Sequence, residues 1–257
     1  MMAKLAHHFA IIRAAIAFLT RIPVGHGEIG VSARAGVAAC FPFVGTLLGF
    51  MGVAVWLASS RLSADVRAWL VIVTLLLATG AFHEDGLADT ADALGGAFTR
   101  SKLFEILKDS RIGTFGACAL ICALTLRAQL MAHLLPLNIW SLIAAQTFSR
   151  IAAVLLMALV PYVTPEGTSR SQDVIHVGIS QVMGALSWTV LVSIGLVCFA
   201  RISLLELGVA ALAQALAVLW LTFRFKRRAG GITGDFLGTT QQVGELAFLL
   251  GLSFTCT

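Results

Sequence analysis

The sequence predicts an all-α fold: a polytopic transmembrane helix bundle of about seven spans, with amphipathic interfacial helices on the cytoplasmic side. Three observations lead there. First, 58% of the 257 residues are hydrophobic and only 12% are charged, about half the ~25% usual in a soluble domain. Such a chain lacks the polar surface that water demands, and lipid must take water's place. Second, apolar stretches approaching the ~20 residues needed to cross a bilayer recur at 35–59, 66–83, 113–134, 139–160, 176–199, 204–223 and 240–256. Third, Lys and Arg are unevenly divided between the loops. With the N-terminus in the cytoplasm, thirteen of the eighteen fall inside, three fall outside, and Arg127 and Arg150 lie within spans. That bias sets the orientation.

The elements follow in order. Residues 1–34 form an interfacial N-terminal region, in which Ile12, Ile16 and Leu19 share one side of a helix. Arg13 interrupts the apolar run, so this is not a convincing signal peptide. Phe41-Pro42-Phe43-Val44-Gly45 is apolar and reads as a kink and packing element. The polar segments 83–112, 161–175 and 224–239 all fall on the cytoplasmic side. No internal repeat or soluble domain boundary interrupts the chain, so 1–257 reads as a single integral membrane domain, with 83–112 as its cytoplasmic catalytic loop.

The net charge of +5 suits anchoring to anionic lipid. No run of aromatic and basic residues is present to stack bases, so no nucleic-acid partner is expected. The five cysteines form no CxxC pair, and Cys118 and Cys122 have no partner ligands in sequence to complete a zinc site. They read as free thiols. Lipid-facing and partner-facing apolar surfaces look alike, so a homo-oligomer is compatible with the chain.

The chemistry concentrates in His83-Glu84-Asp85-Gly86-Leu87-Ala88-Asp89-Thr90-Ala91-Asp92-Ala93-Leu94-Gly95-Gly96. Asp85, Asp89 and Asp92 are spaced i, i+4, i+7, which on an α-helix confines them to an arc of about 60°. Like charges on one face repel unless a cation compensates them. A hard divalent cation such as Mg²⁺ takes oxygen ligands and leaves positions for water or substrate phosphate. The row therefore points to metal-assisted phosphoryl chemistry, with Glu84 or His83 as a further ligand or base. The plainer reading is an acidic helix start favoured by the macrodipole.

Ser101–Arg111 follows as a short surface helix with an apolar stripe at Leu103, Ile106 and Leu107 and Ser101 as its N-cap. Lys108 and Arg111 could reach a phosphate there, and Asp109 could add a carboxylate. Ala229–Thr240 is glycine-rich, and a glycine turn leading into a helix presents backbone N–H groups to an anion. Gly234, Asp235, Gln242 and Glu245 are the candidates from that stretch. Arg150, with Gln146 and Ser149 beside it, and Arg127 lie at a depth where charge is expensive and faces the protein interior or an aqueous cavity. Arg150 fits substrate phosphate or structural pairing.

Four stretches, Phe18–Gly25 (FLTRIPVG), His83–Gly96, Lys108–Gly116 (KDSRIGTFG) and Gly230–Glu245 (GGITGDFLGTTQQVGE), resemble the cobalamin synthase (adenosylcobinamide-GDP ribazoletransferase) family. Two positions depart from its usual pattern: Ala93 replaces a common glycine, and Pro161-Tyr162-Val163-Thr164 lacks an arginine that often follows the Pro-Tyr pair. The resemblance implies a Mg²⁺-dependent enzyme of the inner membrane with its active site facing the cytoplasm. It implies the joining of adenosylcobinamide-GDP to α-ribazole, or to its 5′-phosphate, with release of GMP. Asp85, Asp89 and Asp92 would then hold the metal, Glu84, His83 or Asp109 would take a proton, and Lys108, Arg111 and Arg150 would stabilise phosphate. Two other readings compete. A CDP-alcohol phosphotransferase normally begins its motif Asp-Gly-x-x-Ala-Arg, whereas Asp89 here follows Ala88. A cation-coupled transporter would place its acids mid-span, in paired repeats.

Overall fold

A computed structural model describes residues 2–25, 36–163, 177–200 and 202–255. The expected inside loop 161–175, with Arg170, lies largely outside the described residues. The fold is a helix bundle. In order come α1 (Met2–Leu19), a 3₁₀ turn (Val37–Cys40), α2 (Phe41–Ala58), α3 (Ala64–Thr79), α4 (Phe82–Gly96) and α5 (Arg100–Ile106). They are followed by α6 (Thr114–Leu137), α7 (Ser141–Leu159), α8 (Ile179–Cys198), α9 (Leu204–Ala229) and α10 (Gly234–Ser253). Cys40, Cys118, Cys122 and Cys198 are free thiols.

Five helical stretches are long and apolar enough to cross a membrane: Val37–Ala58, α6, α7, α8 and α9. A sixth is the pair α3 and α4, which pass together but meet at 91°. The break has a backbone cause. Gly80 (φ +67°) and Ala81 (φ +56°) are consecutive left-handed residues, which end α3 and re-aim the chain. Arg21 lies over this turn: its backbone N–H donates to Ala78 O at 2.7 Å, and its guanidinium occupies the space a Gly80 Cβ would need. The FLTRIP stretch therefore braces the start of α4.

The expected seventh span, 240–256, falls in α10, a helix of another kind. It packs against α4, α6, α7 and α9 and buries Thr240, Gln241, Gln242, Glu245 and Phe248. α8 and α9 by contrast leave most of their surface outside the bundle, with Leu212, Leu216, Leu219, Trp220 and Phe223 exposed, the signature of a lipid-facing wall. α7 is mostly buried and meets α2 where Gly45 and Gly49 admit its backbone: a Cβ at Gly45 would lie 2.2 Å from Gln146 O.

Caps close both ends of α9. Ser203 and Glu206 form a capping box at the start of α9. At its end, Gly230 (φ +82°) closes the helix and Arg228 donates to Leu94 O at 3.2 Å and to Ala97 O. That guanidinium satisfies carbonyls at the negative end of α4. Pro161-Tyr162-Val163 then pairs with Gly231-Ile232, Val163 N–H donating to Ile232 O at 2.8 Å and Ile232 N–H to Pro161 O at 3.0 Å. The N-cap of α5 is Thr99, which accepts from Lys102 N–H at 3.3 Å, and not the expected Ser101. Ser101 is already the second residue of the helix, and its hydroxyl sits 3.1 Å from that of Thr99.

Candidate active site

The acidic row lies on α4, and α4 crosses the start of α10 at two glycines. A Cβ at Gly86 would stand 2.9 Å from Asp235 O, and one at Gly238 would stand 3.2 Å from His83 O. Thr239 Oγ1 seals the crossing by donating to Gly86 O at 2.9 Å. Helix backbones approach this closely only where side chains are absent. The crossing makes Asp85, Asp92 and Asp235 the charges that bear on Asp89. Burial pushes the Asp235 carboxyl up, and the Asp85 charge adds to the rise. Asp235 is thus a fourth acid, set beside the row from the other end of the sequence.

Asp85 is exposed and lines a polar cleft of about 490 Å³ with Thr20, Arg21 and Thr79. Asp89 is half-buried. Asp92 is different. One of its oxygens accepts Gly113 N–H at 2.7 Å and the other accepts Gly116 N–H at 2.9 Å. It caps the first turn of α6 from another helix. A Cβ at either glycine would come within 2.4 Å of that carboxylate, which accounts for both glycines of the KDSRIGTFG stretch. We expect Asp92→Ala to destabilise the protein by about 3 kcal/mol, since hydrogen bonds to a charged group contribute ~1.5–3 kcal/mol each. Thermal unfolding in detergent checks this, and an unchanged midpoint would remove Asp92 from the capping role.

Glu84 points to another environment. Its Oε1 accepts Arg127 Nη1 at 3.2 Å and Gln242 Nε2 at 2.9 Å, within the bundle interior. Glu245 stands at the centre of the same network. Its Oε1 pairs with Arg127 Nη2 at 2.8 Å and accepts Gln146 Nε2 at 2.6 Å, and its Oε2 accepts Gln241 Nε2 at 2.8 Å. Arg150 Nη1 lies 3.8 Å from that Oε2 and donates to Gln146 O and to Ser149 Oγ. Two carboxylates and two guanidiniums are therefore buried together with their charges matched. The expected base Glu84 and the expected substrate contacts Gln242 and Glu245 are committed to one another. Arg127, Gln146 and Gln241 complete the network, and the only signal for them in sequence was polarity inside apolar spans.

The surface helix departs from expectation as well. Arg111 closes on Asp109 in a two-pronged pair, Nε to Oδ1 at 2.9 Å and Nη2 to Oδ2 at 2.6 Å. The Arg111 hydrogen bonds hold the Asp109 carboxyl down at about 2. The pair persists above the ordinary aspartate range and is lost only as pH falls toward that value. Lys108 is exposed. Gly234 opens α10 beside Tyr162, whose hydroxyl lies 3.6 Å from where a Gly234 Cβ would be. His83 is buried, makes no hydrogen bond to a described residue, and lines an apolar cavity rather than the acidic cleft.

Among the described residues, no three His, Cys, Asp or Glu side chains are gathered closely enough to hold a metal ion. The donor chemistry nevertheless suits a hard cation: the charges of Asp85 and Asp235 both bear on Asp89, and none of the three carboxylates has a basic partner among the described residues. Asp92 is the member of the expected set that the fold uses elsewhere.

The family model described as Cobalamin-5-phosphate synthase matches residues 11–253. The chain is 40% identical to the adenosylcobinamide-GDP ribazoletransferase of Bradyrhizobium diazoefficiens, with 93% of this chain and 91% of that protein covered. It is 39% identical to the protein of that name from Polaromonas sp. (93% and 94% covered), and 40% identical to that of Ralstonia nicotianae (97% and 96% covered). No solved structure matches. With a matched region that takes in the acidic helix, the capped start of α6 and the glycine crossing alike, the chain belongs to the cobalamin-5-phosphate synthase family.

Proposed function

We propose that this protein is an adenosylcobinamide-GDP ribazoletransferase of cobalamin biosynthesis, residing in the inner membrane with its acidic cleft facing the cytoplasm. The observation that carries the reading is the Gly86–Gly238 crossing, which sets the acid row against Asp235 beside a polar cleft. The excess of Lys and Arg on the loops at that end supports the orientation.

In the reaction an oxygen of α-ribazole, or of its 5′-phosphate, forms a bond to the phosphorus attached to the cobinamide arm. The diphosphate P–O bond breaks, and GMP leaves with the bridging oxygen. Asp85, Asp89 and Asp235 would hold Mg²⁺, which neutralises charge on the diphosphate when bound. Arg21, on the cleft wall with Asp85, is placed to meet a phosphate oxygen. Of the three proposed bases, Glu84 is buried in the bundle interior and ion-paired with Arg127 through Oε1, away from the cleft, and Asp109 is clasped by Arg111. His83 retains an uncommitted ring, so the nucleophile's proton is assigned to it. Arg150 acts from inside the network and the cavity wall. Lys108 is left as an exposed cation for the leaving nucleotide, whereas Arg111 is engaged with Asp109.

Purified protein in detergent is expected to release GMP from adenosylcobinamide-GDP only when both α-ribazole, or its 5′-phosphate, and Mg²⁺ are present. Chromatographic detection of GMP decides it, and no GMP with all components present would sink the assignment.

A further inference from the structure

A cavity of about 290 Å³ lies between α1, α2, α4, α7 and α10, walled by Phe18, Phe41, Phe82, His83, Arg150 and Tyr162. We infer that it receives the planar base of the nucleoside acceptor, leaving the sugar toward the acidic cleft. The inference rests on the transferase reading and deepens it.

Four features carry it. The first is aromatic lining. Phe18 and Phe41 stack with centroids 5.7 Å apart, Phe82 meets Phe18 edge-on at 5.9 Å, and His83 meets Phe82 edge-on at 5.4 Å. Flat rings arranged this way favour a further ring, by stacking or by edge contact. The second is a polar orphan. Arg150 lines the cavity, is 3% exposed, and its Nε has no hydrogen-bond partner. A buried N–H of this kind is costly unless something accepts from it. A heteroaromatic ring nitrogen can accept, whereas a lipid acyl chain cannot.

The third feature is scarcity of uncommitted polar groups. Ala153, Met157, Leu19 and Leu237 fill out the walls, and the Gln241 amide that also lines them is engaged with Ser149, Gln242 and Glu245. A guanine placed here would leave several donors and acceptors unpaired, at a cost that a benzimidazole avoids. The donor substrate's nucleobase is therefore excluded in favour of the acceptor's. The fourth is position. Phe18 and Phe82 wall both this cavity and the polar cleft that holds Asp85 and Arg21. An apolar chamber and a polar cleft with a shared wall match a nucleoside, apolar at its base and polar at its sugar. Seated so, the acceptor would bring its hydroxyl past His83 toward the acid row.

Ala153→Leu fills the chamber from α7, and Phe82→Leu, at a half-exposed position, removes an aromatic face with little risk to folding. Two readouts are used. In steady-state GMP release, each variant is expected to raise KM for α-ribazole at least about tenfold, the scale of a few misplaced carbons in a pocket, with KM for adenosylcobinamide-GDP within about twofold of wild type. In equilibrium dialysis without the second substrate, wild type binds α-ribazole, free benzimidazole displaces it, and Ala153→Leu weakens it. Unchanged α-ribazole binding in both folded variants overturns the inference. So does a rise in KM for adenosylcobinamide-GDP instead, or displacement by added phospholipid but not by benzimidazole. Dialysis needs no turnover. Protein that binds α-ribazole in the chamber without releasing GMP would therefore fail the transferase reading while keeping this one.

Discussion

Asp85→Asn and Asp235→Asn are each expected to lower GMP release at least about 100-fold, the scale of losing one electrostatic contact to a developing charge. The fold should survive both. Asp85 is exposed on the cleft wall, and Asp235 is half-buried, with the Thr233 hydroxyl, at 3.5 Å, as its only side-chain partner among the described residues. Among the described residues their substitution breaks no ion pair and uncaps no helix. On the proposed reading each loses one negative oxygen that faces the cation. Added Mg²⁺ should recover part of the activity if affinity is what fell, so a titration separates binding from chemistry. Turnover within about tenfold of wild type in either variant would take that residue out of the metal set.

Glu245→Gln is expected to fail for another reason. Glu245 is wholly buried and is the shared partner of Arg127 and Arg150. Neutralising it leaves two guanidiniums in the interior against the single charge of Glu84. Breaking a buried ion pair from one side costs about 3–5 kcal/mol, and at 2–4 °C per kcal/mol for a chain of this size the melting midpoint falls by roughly 10 °C. Replacing both partners is gentler, because no unpaired charge remains. The Arg127→Met/Glu245→Met double variant should therefore melt above Glu245→Gln. A double variant less stable than the single one would show that these groups are not paired in the membrane. Because the network ties α4, α6, α7 and α10 together, its loss would also loosen the Gly86–Gly238 crossing. Activity would fall through position rather than chemistry.

Much of this was legible in the chain. Hydropathy alone marks α2, α6, α7, α8 and α9, since an apolar run of that length has few other uses. The aspartate spacing forecasts a helical row, and α4 supplies the helix. What the sequence concealed was tertiary. Neighbours Glu84 and Asp85 are one residue apart, yet the ~100° step of a helix sends one into an ion network and the other to a cleft. Asp92 fits the row by spacing, but its role depends on Gly113 and Gly116, which only folding brings to it. The turn at Ala81 had no local signal, because a left-handed alanine is dictated by its surroundings. The apolar tail of α10 reads as a span by composition, but its buried polar residues make it the centre of the bundle.

The central claim is that the reactive acids are Asp85 and Asp89 of α4 joined by Asp235 of α10, with Asp92 holding the start of α6. GMP release measured side by side for folded Asp235→Asn and Asp92→Asn tests it most directly. The expected result is a loss of at least about 100-fold in the Asp235 variant and near wild-type turnover, with a lowered melting midpoint, in the Asp92 variant. The reverse pattern, with Asp92→Asn inactive at full stability and Asp235→Asn active, would contradict the account.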